Sequence, residues 1–114
     1  MTSRQIALKI AGFASDKKAE DIVILDMKDV ANFCDCFVIC SGNNDRQVRA
    51  IADNILDEMK KKGLPITYKT GLKSADWIVL DAGDVVCHIF QKQLREFYNL
   101  EHLWQEAEQI PYND

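Results

Sequence analysis

The chain has 114 residues, 47% hydrophobic and 28% charged, with only 2 prolines and 5 glycines, which describes one globular domain over residues 1–114 able to bury a core without disulfides or structural metal. Its 18 acidic residues against 14 basic ones leave a net charge of -4, and the basic residues are scattered apart from Lys60-Lys61-Lys62. That balance argues against autonomous, sequence-specific nucleic-acid binding and suits a basic protein partner.

Met1 to Ile6 carries no long apolar run, and no stretch approaches the roughly 18 uninterrupted apolar residues of a membrane helix. The expectation is a chain that is neither secreted nor membrane-bound, and with no Arg/Ser-rich leader, a bacterial cytoplasm. Ser3 as N-cap, followed by Ile6, Ala7, Ile10 and Ala11, predicts a short first helix closing at Ser15-Asp16-Lys17-Lys18. Ile22 to Met27 and Cys36 to Cys40 are brief apolar runs expected to be strands covered on both faces, in the middle of a sheet. Cys34, Cys36, Cys40 and Cys87 contain no Cys-x-x-Cys pair and no second cluster for a tetrahedral site, so they read as reduced core thiols, with no metal and no cofactor.

Val48, Ile51, Ala52, Ile55, Leu56 and Met59 form a helical stripe over about residues 44–62. Asn44 and Gln47 resemble a capping box, Asp45 suits the positive end, and Lys60 to Gly63 suit the close. Ile66 to Thr70 predicts an edge-type strand. Trp77 to Leu80 and Val85 to Phe90 predict a hairpin across Asp81-Ala82-Gly83-Asp84, with Leu80 opposite Val85 and Trp77 opposite His88. Trp77, Val79, Val86, His88 and Phe90 then share one face. Leu94 to Tyr98 reads as a turn before a final helix capped by Asn99, with fraying beyond Gln109. The order α, β, β, α, β, β, β, α gives an α+β or mixed α/β fold, a mixed sheet of about five strands with flanking helices.

Taken alone, Trp77 and His88 are ordinary half-core residues, or else an interface anchor, where aromatics concentrate. Asp81 and Asp84 either bond to turn amides or meet basic groups on a partner, and Asp35 has the same two readings. Ser41-Gly42 before a helix could cradle a phosphate, but further glycines and a following Lys-Ser/Thr are missing and Asp45 would repel the anion. A tight turn permitted by Gly42 is the better account. Arg95, Phe97, Tyr98 and Trp104 read as a cluster closing over the sheet, with Tyr98 able to turn its hydroxyl outward.

Four segments together resemble the Iojap-like ribosomal silencing factors: Asp35-Cys36-Phe37-Val38-Ile39-Cys40-Ser41-Gly42, Asp45-Arg46-Gln47-Val48-Arg49-Ala50-Ile51-Ala52-Asp53, the run Trp77 to Phe90, and Arg95-Glu96-Phe97-Tyr98-Asn99-Leu100-Glu101-His102-Leu103-Trp104. The departures are Cys36, where that family usually has an aromatic, and Thr70, where it often has an acid; both bear on rim contacts. The resemblance implies a nucleotidyltransferase-like topology and binding to a basic large-subunit ribosomal protein at the intersubunit face. The small subunit would thereby be excluded and translation repressed under nutrient limitation. It favours the anchor reading of Trp77 and leaves His88 between its two readings; the partner-binding residues expected are Trp77, Asp81, Asp84, His88, Arg95 and Tyr98, with no catalytic ones. Two alternatives stand beside it. A metal-dependent nucleotidyltransferase-like enzyme would need an Asp-x-Asp that the chain lacks, and fold analogy is a weak warrant for it. A homodimeric scaffold would pair through an exposed strand or the Trp77 face.

Overall fold

The computed structural model describes residues 1–112. Helix α1 (Ser3–Ser15) is capped by Thr2 rather than Ser3: Thr2 Oγ1 accepts the Gln5 N–H at 3.1 Å and Gln5 Oε1 accepts the Thr2 N–H at 2.9 Å. Ser3 is thereby free to donate to Asp35 Oδ2 at 2.6 Å, tying the start of the helix to the loop before the second strand. Helix α2 (Asp45–Lys61) is capped by Asn44, whose side chain accepts the Gln47 N–H at 2.8 Å, while Gln47 Oε1 takes the Asn43 N–H instead of completing a box with Asn44. Its buried stripe is Val48, Ile51, Ala52, Ile55 and Met59, the spacing that puts apolar residues on one face.

The strands are β1 (Glu20–Asp26), β2 (Cys36–Gly42), β3 (Tyr68–Thr70), β4 (Trp77–Asp81), β5 (Val85–Gln91) and β6 (Glu108–Ile110); α3 (Lys92–Tyr98) and α4 (Leu100–Leu103) lie between the last two. They form a six-stranded mixed sheet in the order β3-β4-β5-β2-β1-β6, in which β2 and β5 are parallel and the other neighbours antiparallel. The expected α+β class and central placement of the second strand hold. The sixth strand reaches one residue into the tail expected to fray beyond Gln109: Ile24 pairs with Ile110, which is buried, so tertiary pairing holds a segment too short to show a pattern. Residues 113 and 114 of that tail lie outside the described residues.

Two further expectations change. The β4–β5 hairpin pairs Trp77 with Phe90, Val79 with His88 and Asp81 with Val86, a register displaced from the expected one. Asp81 extends the strand and Ala82 donates to the Val85 carbonyl at 2.9 Å, leaving only Gly83-Asp84 as the loop. Gly83 has φ +90°, the backbone that lets a two-residue turn match the strand twist. The displacement is even, so Trp77, Val79, Val86, His88 and Phe90 still share one face. At the tail, Leu94 to Tyr98 is helical and belongs to α3, where a turn was expected; Asn99 ends α3 in the left-handed conformation (φ 47°) and stands at the N-cap position of α4, a four-residue helix, without a side-chain capping bond.

The sheet divides the core in two. Ile24, Val38, Cys40, Ile78, Leu80, Val85, Cys87 and Ile89 pack against α1 and α2. Leu25, Phe37, Ile39, Val86 and Phe90 face the other way, partly covered by Leu94, Leu100 and Trp104. The loop leading into β4 is pinned by Arg49, whose guanidinium donates to the carbonyls of Leu72 and Lys73. At its start Gly71 has φ +83°, and a Cβ there would collide with the Trp77 carbonyl. Gly71→Ala is therefore expected to destabilise the fold by more than about 1 kcal/mol, read as a lower urea midpoint, and to disturb the environment of Trp77.

Candidate functional site

Alternation along β4 and β5 sends Trp77, Val79 and Asp81, and Val86, His88 and Phe90, to the face away from α1 and α2. There Trp77 stacks on Phe90, with ring centroids 4.9 Å apart, and meets Tyr98 at 4.9 Å. Its Nε1–H donates to His88 Nδ1 at 3.1 Å. Phe37 on β2 stands edge-on to His88 at 4.5 Å, and beyond it lie Phe33 and Trp104 at 6.0 and 6.1 Å from Phe37. A continuous line of rings thus crosses the face. Its middle, Phe37, His88 and Phe90, is buried, whereas Phe33 at one end is 58% exposed and Tyr98 at the other is 48% exposed. Phe97 and Leu103 add exposed apolar surface.

His88 is 7% exposed and burial lowers its pKa from 6.5 to about 4, so the ring is neutral at physiological pH. With Nδ1 accepting the indole proton, the imidazole proton sits on Nε2, which is buried without a hydrogen-bond partner. An orphaned buried donor costs about 1–3 kcal/mol.

Asp81 shares this face about 13 Å along β4 from Trp77, and its Oδ1 accepts the Gly83 N–H at 2.7 Å. The exposed Asp84 uses its carbonyl to accept the N–H groups of Asp35 and Cys36 at 2.7 and 3.1 Å. Asp35, Asp81 and Asp84 gather near Cys34. Burial first, then Cys36 and those three carboxylates, push the Cys34 thiol up to about 11, which keeps it protonated and unreactive. The Cys87 thiol, hydrogen-bonded to Cys40 and fully enclosed, is raised as well; all four cysteines are buried free thiols.

Arg95 lies behind the surface at 8% exposure. Its Nε and Nη2 donate to the two Glu101 carboxylate oxygens at 2.9 and 3.2 Å, and Nη1 donates to Ser41 Oγ at 2.9 Å, so it braces α3 and α4 against β2. The structure therefore brings Trp77, His88 and Tyr98 together, sets Asp81 and Asp84 at the far end of β4, and makes Arg95 a strut. Ser41 is buried with its hydroxyl engaged by Arg95, and the space a Gly42 side chain would need is taken by Val48, 3.0 Å from such a Cβ. That turn is a packed joint, not an open phosphate cradle. Among the described residues no group of three or more His, Cys, Asp or Glu is placed to hold a metal, and no helix is long and apolar enough to cross a membrane. Phe33 and Leu103 escaped sequence reasoning: Phe33 sits in an irregular loop with no periodicity to expose it.

Residues 1–114 match the family described as RsfS, ribosomal silencing factor during starvation. The chain belongs to this family. It is 48% identical to the ribosomal silencing factor RsfS of Bacillus subtilis over 88% of this chain and 86% of that protein. It is 30% identical to a mouse protein named mitochondrial assembly of ribosomal large subunit protein 1, over 77% of this chain and 40% of that one. A crystal structure of a protein from Chromobacterium violaceum superposes with a TM-score of 0.88 at 32% identity, covering 98% of this chain and 92% of that one. The relatives are named for an effect on ribosomes, not for a reaction.

The unfolded chain takes up a proton on His88 at a pH where the folded chain does not. The contribution of neutral His88 is full above about pH 6.5 and is lost as pH falls toward 4, amounting to about 3 kcal/mol by pH 4. Urea denaturation of wild type and His88→Phe across that range should show a steeper acid-side loss in the wild type, the difference between them isolating this group from the carboxylates.

Proposed function

We propose that this silencing factor acts in the bacterial cytoplasm by docking its aromatic sheet face on a basic protein of the large ribosomal subunit, beside the intersubunit surface, and so excludes the small subunit. The observation that carries the reading is a ring cluster, Trp77 with Tyr98, left accessible at the edge of a buried aromatic layer on the sheet face away from α1 and α2. Family membership supports it, and so does the name of the mouse relative, which points to the large subunit. Large aromatic residues in a partly buried setting are where interface energy concentrates. Trp77 and Tyr98 supply the anchor. Asp81 and Asp84 form an acidic rim that steers a basic partner and fixes register. His88 and Arg95 serve from behind the contact surface, the first against Trp77 and the second under the α3–α4 corner that carries Tyr98.

Steric occlusion needs affinity and placement, with no turnover and no cofactor. A rigid wedge of this kind, with extents of 34 × 34 × 26 Å, is large enough to keep two subunit surfaces apart while it stays bound.

Sedimentation of purified subunits with the protein tests the reading. Wild type should co-migrate with the large subunit alone and suppress joining. Trp77→Ala should retain its fold and lose roughly 30-fold or more in affinity, the scale of an interface hot spot. A wild type that binds neither subunit at low salt and leaves joining unaffected overturns it.

The rim gives a separate expectation. Replacing Asp81 and Asp84 together by Asn should slow association and flatten its dependence on salt, while leaving dissociation nearly unchanged. Stopped-flow or surface-binding kinetics at two ionic strengths read that pattern directly.

A further inference from the structure

His88 is an expensive choice for its position. Its ring is surrounded by Phe37 at 4.5 Å, Trp77 at 5.9 Å and Phe90 at 6.4 Å, an environment that a phenyl ring would fill without any polar atom. The imidazole adds two nitrogens of different fates. Nε2 carries the proton and has no partner, whereas Nδ1 accepts the Trp77 Nε1–H at 3.1 Å. Among the described residues, the one polar bond that His88 makes with its side chain is the one that receives the indole.

An indole lying on Phe90 and against Tyr98 can turn over about its Cβ–Cγ bond, moving its N–H edge to the opposite side. Contacts with flat apolar rings discriminate weakly between the two orientations. A hydrogen bond to a fixed acceptor discriminates strongly, because only one orientation can make it. Trp77 is half-buried, so in the other orientation its N–H could be satisfied by water, and the imidazole acceptor is what selects against that state.

We infer that His88 is a positioning residue for the docking face: Nδ1 locks one of two orientations of the Trp77 indole, and with it the shape of the anchor presented to the partner. The inference rests on the docking reading above and extends it to a residue the partner does not touch. The tenet is preorganisation. An anchor already held in its bound orientation avoids an ordering cost on association, and an anchor divided between two orientations binds more weakly by the fraction that is competent.

The test uses the full chain as wild type, His88→Phe, His88→Gln and Trp77→Ala, each titrated against purified large subunits. In parallel, the indole 15N–1H resonances are recorded, with Trp104 as an internal report on the fold. His88→Phe should leave the Trp104 resonance in place, shift the Trp77 indole proton upfield and speed its exchange with solvent. Affinity for the large subunit should fall roughly three- to tenfold, because the competent orientation then leaves the indole N–H unpaired against a phenyl ring and loses most of its population to the orientation that water satisfies. His88→Gln, whose side-chain carbonyl can accept the same N–H, should recover both readouts at least in part. A loss of affinity in His88→Phe with an unchanged Trp77 indole signal would mean that His88 only packs, and overturns the inference. So does an altered indole signal at unchanged affinity. If Trp77→Ala binds as tightly as wild type, the docking reading fails, and the indole resonances of the free protein distinguish that failure from a loss of His88's hold on Trp77.

Discussion

Strand β2 is buried along all of its 7 residues, and the rest of the chain is arranged to satisfy it. Both of its faces need cover and both of its edges need partners. One edge is met by β1 through an antiparallel pairing, the other by the parallel β5. A parallel neighbour cannot be reached by a tight turn, so the chain must cross over between them. That crossover carries α2, which packs with α1 on a single face of the sheet. The two long helices are thus spent on one side, and the opposite side is left to short pieces at the end of the chain.

That asymmetry is the origin of the candidate site. Helices α3 and α4, of 7 and 4 residues, are too short to be stable in isolation. They hold because Arg95, itself buried, grips the Glu101 carboxylate with two of its nitrogens and Ser41 with the third, a bidentate charge-assisted geometry. The strut closes one end of the open face and presents Tyr98 beside Trp77. Over the middle, Phe37, His88 and Phe90 are sealed by neighbouring rings. What remains accessible is the rim of that aromatic layer, with Asp81 and Asp84 beyond it at the hairpin.

The four thiols are buried and free, and burial with nearby carboxylates raises that of Cys34, so none of them supplies a reactive nucleophile at the aromatic face. The hairpin is closed by a two-residue turn, the loop before β4 is clasped by Arg49, and the N–H groups at the start of β2 are taken by the Asp84 carbonyl. Rigidity of this kind suits the occlusion proposed above.

Much of this was legible beforehand. The stripe from Val48 to Met59, the capping by Asn44, the buried run of β2 and the shared face of Trp77, Val79, His88 and Phe90 follow from periods of 3.6 and 2, which are local properties of the chain. So does the reading of the cysteines as core thiols, because Cys36, Cys40 and Cys87 lie within apolar runs. Register in the hairpin was not legible, since it depends on whether Gly83 takes a positive φ and shortens the loop. Nor was β6, whose few residues are ordered only by the edge of β1. The family resemblance made Arg95 a partner-binding candidate, whereas its own neighbourhood in the sequence reads as a cluster closing over the sheet; only the packed structure shows Glu101 and Ser41 waiting for it. Likewise the sequence by itself determined that Trp77 and His88 face the same way, while the tertiary structure decided that one hydrogen-bonds the other from beneath. Side-chain direction is set by strand alternation, but burial and bonding are set by which distant rings, here Phe37, Phe90 and Tyr98, close in around them.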